Sequence, residues 1–183
     1  MKKVALGSKI FTIENFLSKI ECNNYIIMGE FSSFSEAKVS IDGQQVMLKG
    51  VRNNKRIMFK DTSLANNIWN KVISFVPELI ENYSPIGVNE MFRIYKYEKG
   101  ERFKMHRDGS FIRNENERSF YSFLIYLNDD FKGGETNFKQ GISVTPKCGN
   151  ALIFHHPLKH EGKQIISGIK YVLRTDIMYK KIN

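Results

Sequence analysis

The chain has 183 residues and a net charge of +9, with 28 lysine and arginine residues against 19 aspartate and glutamate residues. A hydrophobic content of 42% excludes a disordered protein, and no apolar run approaches the roughly 18 residues that a membrane-spanning helix requires. This length predicts a single domain, residues 1–183, with a substantial core.

The basic side chains are scattered along the chain and are densest between Lys49 and Lys60. Such a charge attracts nucleic acid, an acidic protein segment or a small dicarboxylate, although an ordinary solvated surface explains it equally well. The N-terminal segment has no sustained apolar stretch, so neither a secretory signal nor a membrane partner is expected. Cys22 and Cys148 lie far apart in sequence, which favours free thiols in the cytoplasm or another reducing compartment. Nothing in the sequence indicates an oligomeric state.

Residues 1–87 are predicted to form a supporting region of strand and helix that also contributes a loop on the substrate side. Residues 11–13 are typical of a short strand, and residues 14–28 of a partly amphipathic helix. Residues 34–59 are polar and rich in turn-forming residues. Within them, Asp42-Gly43 is predicted to be the turn of a short, exposed hairpin.

A second helix is indicated more clearly after this region. Asp61 or Ser63 can cap its N-terminus, and Pro77 ends or kinks it. The apolar residues that recur at near-helical spacing are Leu64, Ile68, Val72 and Phe75.

After Pro85 the pattern changes to short strands that are divided by glycine-rich turns. About eight such strands are typical of a sandwich or jelly roll. We therefore predict a mainly β protein in which residues 88–183 form a double-stranded β-helix (jelly-roll) catalytic core, with helices packed on one sheet. The predicted strands are residues 88–97, 103–107, 119–127, 135–139, 142–145, 151–155, 158–161 and 171–179.

His106 and Asp108 fall at the end of the second predicted strand and in the turn that follows. Alternate residues of an extended strand share a face, and Gly109 lets the backbone bend away, so both side chains can reach one metal ion. His160 can supply a third ligand. Two histidines and one carboxylate form the facial triad that holds non-haem Fe(II). His155-His156 is an alternative source of one ligand, since adjacent strand residues point to opposite faces.

Further motifs occur in a fixed order around this triad. They are Arg93 to Gly100, His106 to Gly109, Leu124 to Asn128, Gly133 to Phe138, Val144 to Pro146, Gly149 to Phe154, and His160 to Gly162 with Lys170. With these motifs, residues 89–179 resemble the catalytic domain of the Fe(II)- and 2-oxoglutarate-dependent dioxygenases, specifically the prolyl 4-hydroxylase-like branch. Residues 11–18 are similar to the segment that precedes this domain in that family.

The resemblance implies roles for individual residues. The triad would bind Fe(II), with 2-oxoglutarate and O2 as cosubstrates and ascorbate as an accessory reductant. Lys170 would hold the 5-carboxylate of 2-oxoglutarate, Tyr126 would donate its hydroxyl to the same carboxylate, and Tyr97 would line the pocket. A buried lysine requires an anionic partner, because an unpaired buried charge is costly. Either tyrosine can instead be an ordinary core aromatic residue.

Arg174 is a second candidate for the 5-carboxylate. It shares a strand face with Lys170 and lies about 13 Å further along, at about 3.3 Å per residue. It can instead contact the substrate or pair with Asp176. The family's spacing favours Lys170.

The resemblance implies hydroxylation of a C–H bond with release of succinate and CO2, most simply on a prolyl residue of a peptide or protein. Residues 42–56 and 110–118 are the predicted substrate loops, with Arg118 as a predicted substrate contact. A free amino acid or another protein side chain fits the same motifs. Nucleic acid is a less suitable substrate, because demethylases of this fold need two arginines where this chain has Lys170 and Asp176. The intact ligand set disfavours a non-catalytic binding module.

Overall fold

The computed structural model describes residues 1–41 and 44–182, which contain two α-helices, a 3-10 helix and a series of short strands. The helices are α1 (Lys19–Phe31) and α2 (Thr62–Val72), and the 3-10 helix spans Ile73–Phe75. The strands are β1 (Lys2–Gly7), β2 (Ile10–Glu14), β3 (Ser35–Glu36), β4 (Val39–Ile41), β5 (Gln44–Val46), β6 (Lys55–Lys60), β7 (Tyr83–Val88), β8 (Met91–Tyr97), β9 (Phe103–His106), β10 (Glu117–Tyr126), β11 (Lys132–Gly133), β12 (Thr136–Phe138), β13 (Ser143–Val144), β14 (Ala151–His155), β15 (His160–Gly162), β16 (Ile165–Ser167) and β17 (Lys170–Lys181).

Two antiparallel sheets form the body of the molecule. The large sheet has the order β1-β2-β14-β10-β17-β8-β6-β3, and the small sheet has the order β13-β12-β15-β9. The four central strands of the large sheet, β14, β10, β17 and β8, lie opposite the small sheet. These strands and the four of the small sheet correspond to the eight strands predicted from the sequence. The prediction of a mainly β jelly roll is therefore confirmed.

The alternation of side chains along β8 and β17 divides the interior into two cores. Phe92 and Ile94 belong to the core beneath the helices, whereas Tyr95 and Tyr97 belong to the core between the two sheets. On β17, Val172 likewise faces the space between the sheets. Polar residues that share this face are thereby brought into the interior of the jelly roll.

Both helices pack on the outer face of the large sheet, as predicted. Ala65, Ile68 and Val72 of α2 are buried in the core that contains Phe92. The N-terminus of α2 is capped by Asp61, whose carboxylate accepts a hydrogen bond of 2.8 Å from the backbone N–H of residue 64.

Helix α1 begins at Lys19, later than the predicted residue 14. Ser18 and Glu21 form a capping box at this point. The preceding backbone is held by Gly149, whose carbonyl accepts hydrogen bonds from residues 16 and 17. Gly149 has a positive φ of 79°, and a Cβ on it would lie 2.1 Å from the Leu17 carbonyl oxygen. Only glycine fits this contact.

Several strands were not predicted, most notably β6, which lies in a segment interpreted as polar and turn-rich. Its apolar residues Ile57 and Phe59 alternate with basic or exposed side chains, and the strand gains its order by pairing with β8 along its whole length. The predicted hairpin is present as the pair β4 and β5. Its proposed turn, Asp42-Gly43, lies outside the described residues.

Cys22 and Cys148 are neighbours in the fold despite their separation in sequence. Their sulfurs lie 3.9 Å from the Tyr126 carbonyl oxygen and 3.3 Å from the Leu127 carbonyl oxygen, respectively. Burial and the Cys148 thiol raise the pKa of Cys22 to about 12. Neither helix in the described part of the chain has the length and apolar character needed to cross a bilayer.

Candidate metal centre

Three of the predicted ligands meet at one point between the sheets. His106 ends β9 and His160 begins β15, and the two residues are direct partners in the small sheet. Asp108 follows in the next turn, with Oδ1 3.5 Å from His106 Nε2 and Oδ2 3.6 Å from His160 Nε2. The ligand atoms of all three lie within 4.8 Å of one another. The sequence spacing therefore corresponds to a compact cluster in space.

Backbone carbonyls fix the orientation of both imidazole rings. His106 Nδ1 lies 2.7 Å from the carbonyl oxygen of Lys104, and His160 Nδ1 lies 3.0 Å from that of Leu158. Because a carbonyl can only accept, each Nδ1 carries the hydrogen and each Nε2 keeps its lone pair for the shared point. Phe103 also stacks on His106, with ring centroids 3.5 Å apart.

The Asp108 carboxylate is held in its charged form. It accepts hydrogen bonds from Arg174 Nη1 at 3.0 Å and from the Ser122 hydroxyl at 2.5 Å. Burial raises its pKa, but Arg174 and His160 outweigh that effect and hold the pKa well below its usual range. Burial lowers the pKa of His160 to about 4, so this ring is neutral near pH 7. Neutral imidazoles and a carboxylate are the donor set of non-haem Fe(II) sites, so these residues fit such an ion.

A chain of hydrogen bonds continues from Asp108 into the large sheet. The Ser122 hydroxyl donates to Asp108, so its oxygen must accept from His156 Nδ1 at 3.0 Å. His156 Nε2 then accepts from the Ser119 hydroxyl at 2.8 Å. Burial lowers the pKa of His156 to about 4, which is consistent with this neutral tautomer. One of the two rival histidines thus supports the triad through Ser122.

We expect Ser122→Ala to weaken metal binding about 10- to 100-fold, the usual effect of removing a partner of a ligand. The substitution removes a hydrogen bond to Asp108 and leaves the His156 Nδ1–H without its acceptor. Anaerobic calorimetric titration with Fe(II) measures the change. Ser143→Ala is the matched control, because that exposed hydroxyl bonds only to Asn137 among the described contacts. An unchanged affinity in Ser122→Ala would contradict this role.

Lys170, the first residue of β17, lies at the other end of a cavity that starts at the triad. Its side chain is 4% exposed, and its ammonium donates to the Gly134 carbonyl at 2.5 Å. No carboxylate in the described part of the chain contacts it, and burial lowers its pKa to about 7. Other residues that line the cavity are Tyr97, Phe103, Leu124, Thr136 and Val172.

Both predicted tyrosines lie beside Lys170. Its ammonium is 5.6 Å from the centre of the Tyr97 ring and 5.3 Å from that of Tyr126. The Tyr126 hydroxyl is 2.8 Å from Thr136 Oγ1, which lines the cavity. The buried Lys170 ammonium, with the hydroxyl pair of Tyr126 and Thr136 nearby, suits one carboxylate of a small diacid. The other end of such a diacid can reach the metal. This end of the cavity therefore fits 2-oxoglutarate.

The two remaining predicted residues occupy different positions. Arg174 lies at the metal end of the cavity, where its guanidinium binds Asp108 and also reaches Asp176 at 3.3 Å. Arg118 is not among the residues that line the cavity. Its Nε donates to Ser110 Oγ at 3.3 Å, so it contacts the loop that follows Asp108.

Sequence reasoning missed several residues of the site. Ser122 carries no local signal, and the sequence indicates His156 only as a rival ligand, because the partners of both residues are set by strand pairing. Tyr95 could have been found, since it is on the same face of β8 as Tyr97 and lines the cavity. Arg52 could not, because it reaches the cavity wall from a segment distant in sequence.

Comparison with known proteins finds an oxygenase family model and relatives that are named prolyl 4-hydroxylases. The sequence model of the 2OG-Fe(II) oxygenase superfamily matches residues 92–175. In Arabidopsis thaliana, "Probable prolyl 4-hydroxylase 11" is 33% identical over 164 residues, and "Probable prolyl 4-hydroxylase 3" is 25% identical over 171 residues. Each alignment covers 80% of this chain but only 56% and 58%, respectively, of the relative. The chain therefore spans less than two thirds of the length of either protein.

A solved structure has a similar fold. It is a prolyl hydroxylase from Trichoplax adhaerens, in complex with a hypoxia inducible factor oxygen degradation domain peptide fragment. The TM-score is 0.74 at 18% identity, and the match covers 92% of this chain and 83% of that one. At this identity the likeness concerns the fold alone.

Proposed function

We propose that this chain, in which residues 92–175 match the sequence model of the 2OG-Fe(II) oxygenase superfamily, is a dioxygenase that hydroxylates a prolyl residue within a peptide or protein. The resemblance inferred from the ordered motifs is thus confirmed at the level of the family. The prolyl substrate and the roles of individual residues form the proposal.

The observation that carries the proposal is the environment of Lys170. A buried ammonium without a carboxylate partner is costly, and its pKa is lowered to about 7 for that reason. The charge is useful only if an anion binds there. The cavity that joins Lys170 to the triad supports a diacid with one end on the metal.

When bound, Fe(II) and 2-oxoglutarate supply the oxidation of a C–H bond by O2, with conversion of 2-oxoglutarate to succinate and CO2. His106, Asp108 and His160 would hold the metal from one side and leave its other positions accessible. Lys170 would fix the far carboxylate and thereby the direction of the cosubstrate. Apolar side chains such as Phe103 would limit the access of water to this site.

A prolyl peptide is supported by the names of the relatives and by the surface around the site. The plant relatives are named prolyl 4-hydroxylases, and the Trichoplax protein was solved with a peptide fragment. Close in sequence to His106 and Asp108, Met105, Phe111 and Ile112 are 41%, 38% and 64% exposed, respectively. Exposed apolar side chains of this kind suit the ring and neighbouring side chains of a prolyl peptide.

We also propose different roles for the N-terminal and C-terminal parts of the chain. Residues 88–183 would form the catalytic core, and residues 1–87 would support its large sheet and contribute a wall on the substrate side. Arg118 would act on the substrate indirectly, by holding the loop at Ser110.

The proposed function is tested by succinate release from 2-oxoglutarate with three sets of substrates: prolyl peptides, free amino acids and methylated oligonucleotides. We expect the peptides to give the largest stimulation and to gain one oxygen atom by mass spectrometry. Stimulation by oligonucleotides alone would overturn the substrate class. We expect ascorbate to increase the number of turnovers in the same assay, as an accessory reductant.

A further inference from the structure

Two arginines lie on the neighbouring strands β8 and β17, and one of them, Arg174, lines the cavity. Arg93 and Arg174 are direct partners in the sheet, and both point between the two sheets. Arg93 Nη1 lies 3.5 Å and Arg174 Nη2 lies 3.3 Å from carboxylate oxygens of Asp176. Arg174 also binds Asp108. Arg174 thus adjoins the candidate metal centre, and Arg93 is linked to Arg174 through the shared Asp176.

A third arginine reaches the same wall from the segment between β5 and β6. The Arg52 guanidinium lies 4.5 Å from the centre of the Tyr95 ring and 4.4 Å from that of the Phe103 ring, and both rings line the cavity. Arg52 is 4% exposed, and its Nε donates to Asn54 Oδ1 at 2.7 Å. Aromatic stacking therefore fixes this guanidinium beside the site.

The positive charge of this group is not balanced. In the described part of the chain, the carboxylates in contact with these three guanidiniums are Asp108 and Asp176, and a metal ion bound to Asp108 would add further positive charge. The pKa of Tyr95 reflects the resulting positive electrostatic potential. Burial raises its pKa, yet the three arginines lower it to a net value of about 8.

All three arginines also have a donor that makes no hydrogen bond. Arg52 Nη2, Arg93 Nη1 and Arg174 Nε are buried and have no hydrogen-bond acceptor among the described residues. A buried donor of a charged group without an acceptor is unfavourable and rare. The planar fork of a guanidinium matches the two oxygens of a carboxylate, which could accept from such donors.

The 2-oxoglutarate cosubstrate is not suited to this position. Lys170 and Arg174 are four residues apart on one strand face, about 13 Å at about 3.3 Å per residue. A five-carbon diacid that reaches from Lys170 to the metal cannot also extend to the arginines beyond it. The anion that matches them must come from the other substrate.

We propose that Arg52, Arg93 and Arg174 form a carboxylate-binding subsite that selects substrates with an acidic group beside the position to be hydroxylated. This inference rests on the proposed function and narrows its substrate class. The carboxylate can belong to an Asp or Glu side chain in a peptide or to the α-carboxylate of a free amino acid. Both sources share the same chemistry and are separated by the experiment below.

The experiment measures ligand binding to the protein loaded with Fe(II) and 2-oxoglutarate in the absence of oxygen. The ligands are two acetylated, amidated prolyl peptides that differ only by Glu or Gln beside the proline, and free proline. We expect the Glu peptide to bind about 10-fold or more tightly than the Gln peptide in calorimetry at low salt. Arg93→Gln and Arg52→Gln should bring this ratio close to one.

Arg102→Gln is the control, because it removes the same charge from an exposed residue outside the three-arginine group. If Arg52→Gln does not fold, Arg52→Lys is tested in its place. Lysine keeps the positive charge but lacks the planar guanidinium, so the affinity ratio of the Glu peptide to the Gln peptide should still fall. A thermal melt of each variant establishes folding.

Equal binding of the two peptides to the wild-type protein, with no arginine-dependent binding of free proline, overturns the subsite. Turnover of either peptide in oxygen would then still support prolyl hydroxylation. A Glu preference without turnover of any prolyl peptide supports the subsite and contradicts the proposed reaction. Arginine-dependent binding of free proline alone supports the subsite and assigns the carboxylate to an amino acid substrate.

Discussion

His160→Ala is expected to abolish Fe(II) binding at the candidate centre and all turnover of 2-oxoglutarate. The remaining His106 and Asp108 cannot hold one side of a metal ion, and the loss should exceed the 10- to 100-fold effect of removing a partner of a ligand. Anaerobic titration with Fe(II) and 2-oxoglutarate measures binding through the visible charge-transfer band. Succinate release measures turnover.

His155→Ala is the matched control for this substitution. His155 ends β14, the strand that precedes β15 in sequence, is partly exposed and packs beside Phe120 and Tyr121 rather than at the triad. The control should keep both the band and the turnover. A band of normal intensity in His160→Ala, or its loss in His155→Ala, would contradict the assignment of the ligands.

Local patterns explain why much of the site could be predicted from sequence. The alternation along β17 predicted that Lys170 and Arg174 share a face, and both do line the same cavity. His106 and Asp108 could be recognised together because they are close in sequence. The ordered motifs then supplied His160 and the jelly roll, which connect distant parts of the chain.

The contacts that could not be predicted depend on which strands become neighbours in the fold. This information is spread over the whole chain. Ser122 reaches Asp108 only because β10 pairs with β17 and β14. Arg52 reaches the cavity through a segment that sequence patterns interpret as a polar loop. The contact of Cys22 with Cys148 likewise follows from the docking of α1 against the end of β10.

Lys170→Met is expected to reduce the affinity for 2-oxoglutarate about 30-fold or more. Removing one partner of a buried pair costs about 2–5 kcal/mol, because the other charge is left buried without compensation. The shape of the side chain is largely kept, so the cavity should stay intact. Titration of the Fe(II)-loaded protein with 2-oxoglutarate measures the loss, and Lys181→Met, an exposed lysine on the same strand, is the control.

The same substitution should stabilise the protein in the absence of 2-oxoglutarate, by on the order of 1–3 kcal/mol, since it removes an unpaired buried charge. The sign of the pH dependence follows from the pKa of Lys170, which burial lowers from 10.5 to about 7. Between these values the unfolded chain binds more protons at this residue than the folded protein, so the contribution of Lys170 makes wild-type stability rise with pH. The advantage of Lys170→Met should therefore be largest below pH 7 and shrink towards pH 10. Chemical denaturation of both proteins across this range measures the difference, and a destabilised Lys170→Met at pH 6 would show that the contact with Gly134 outweighs the cost of burying the charge.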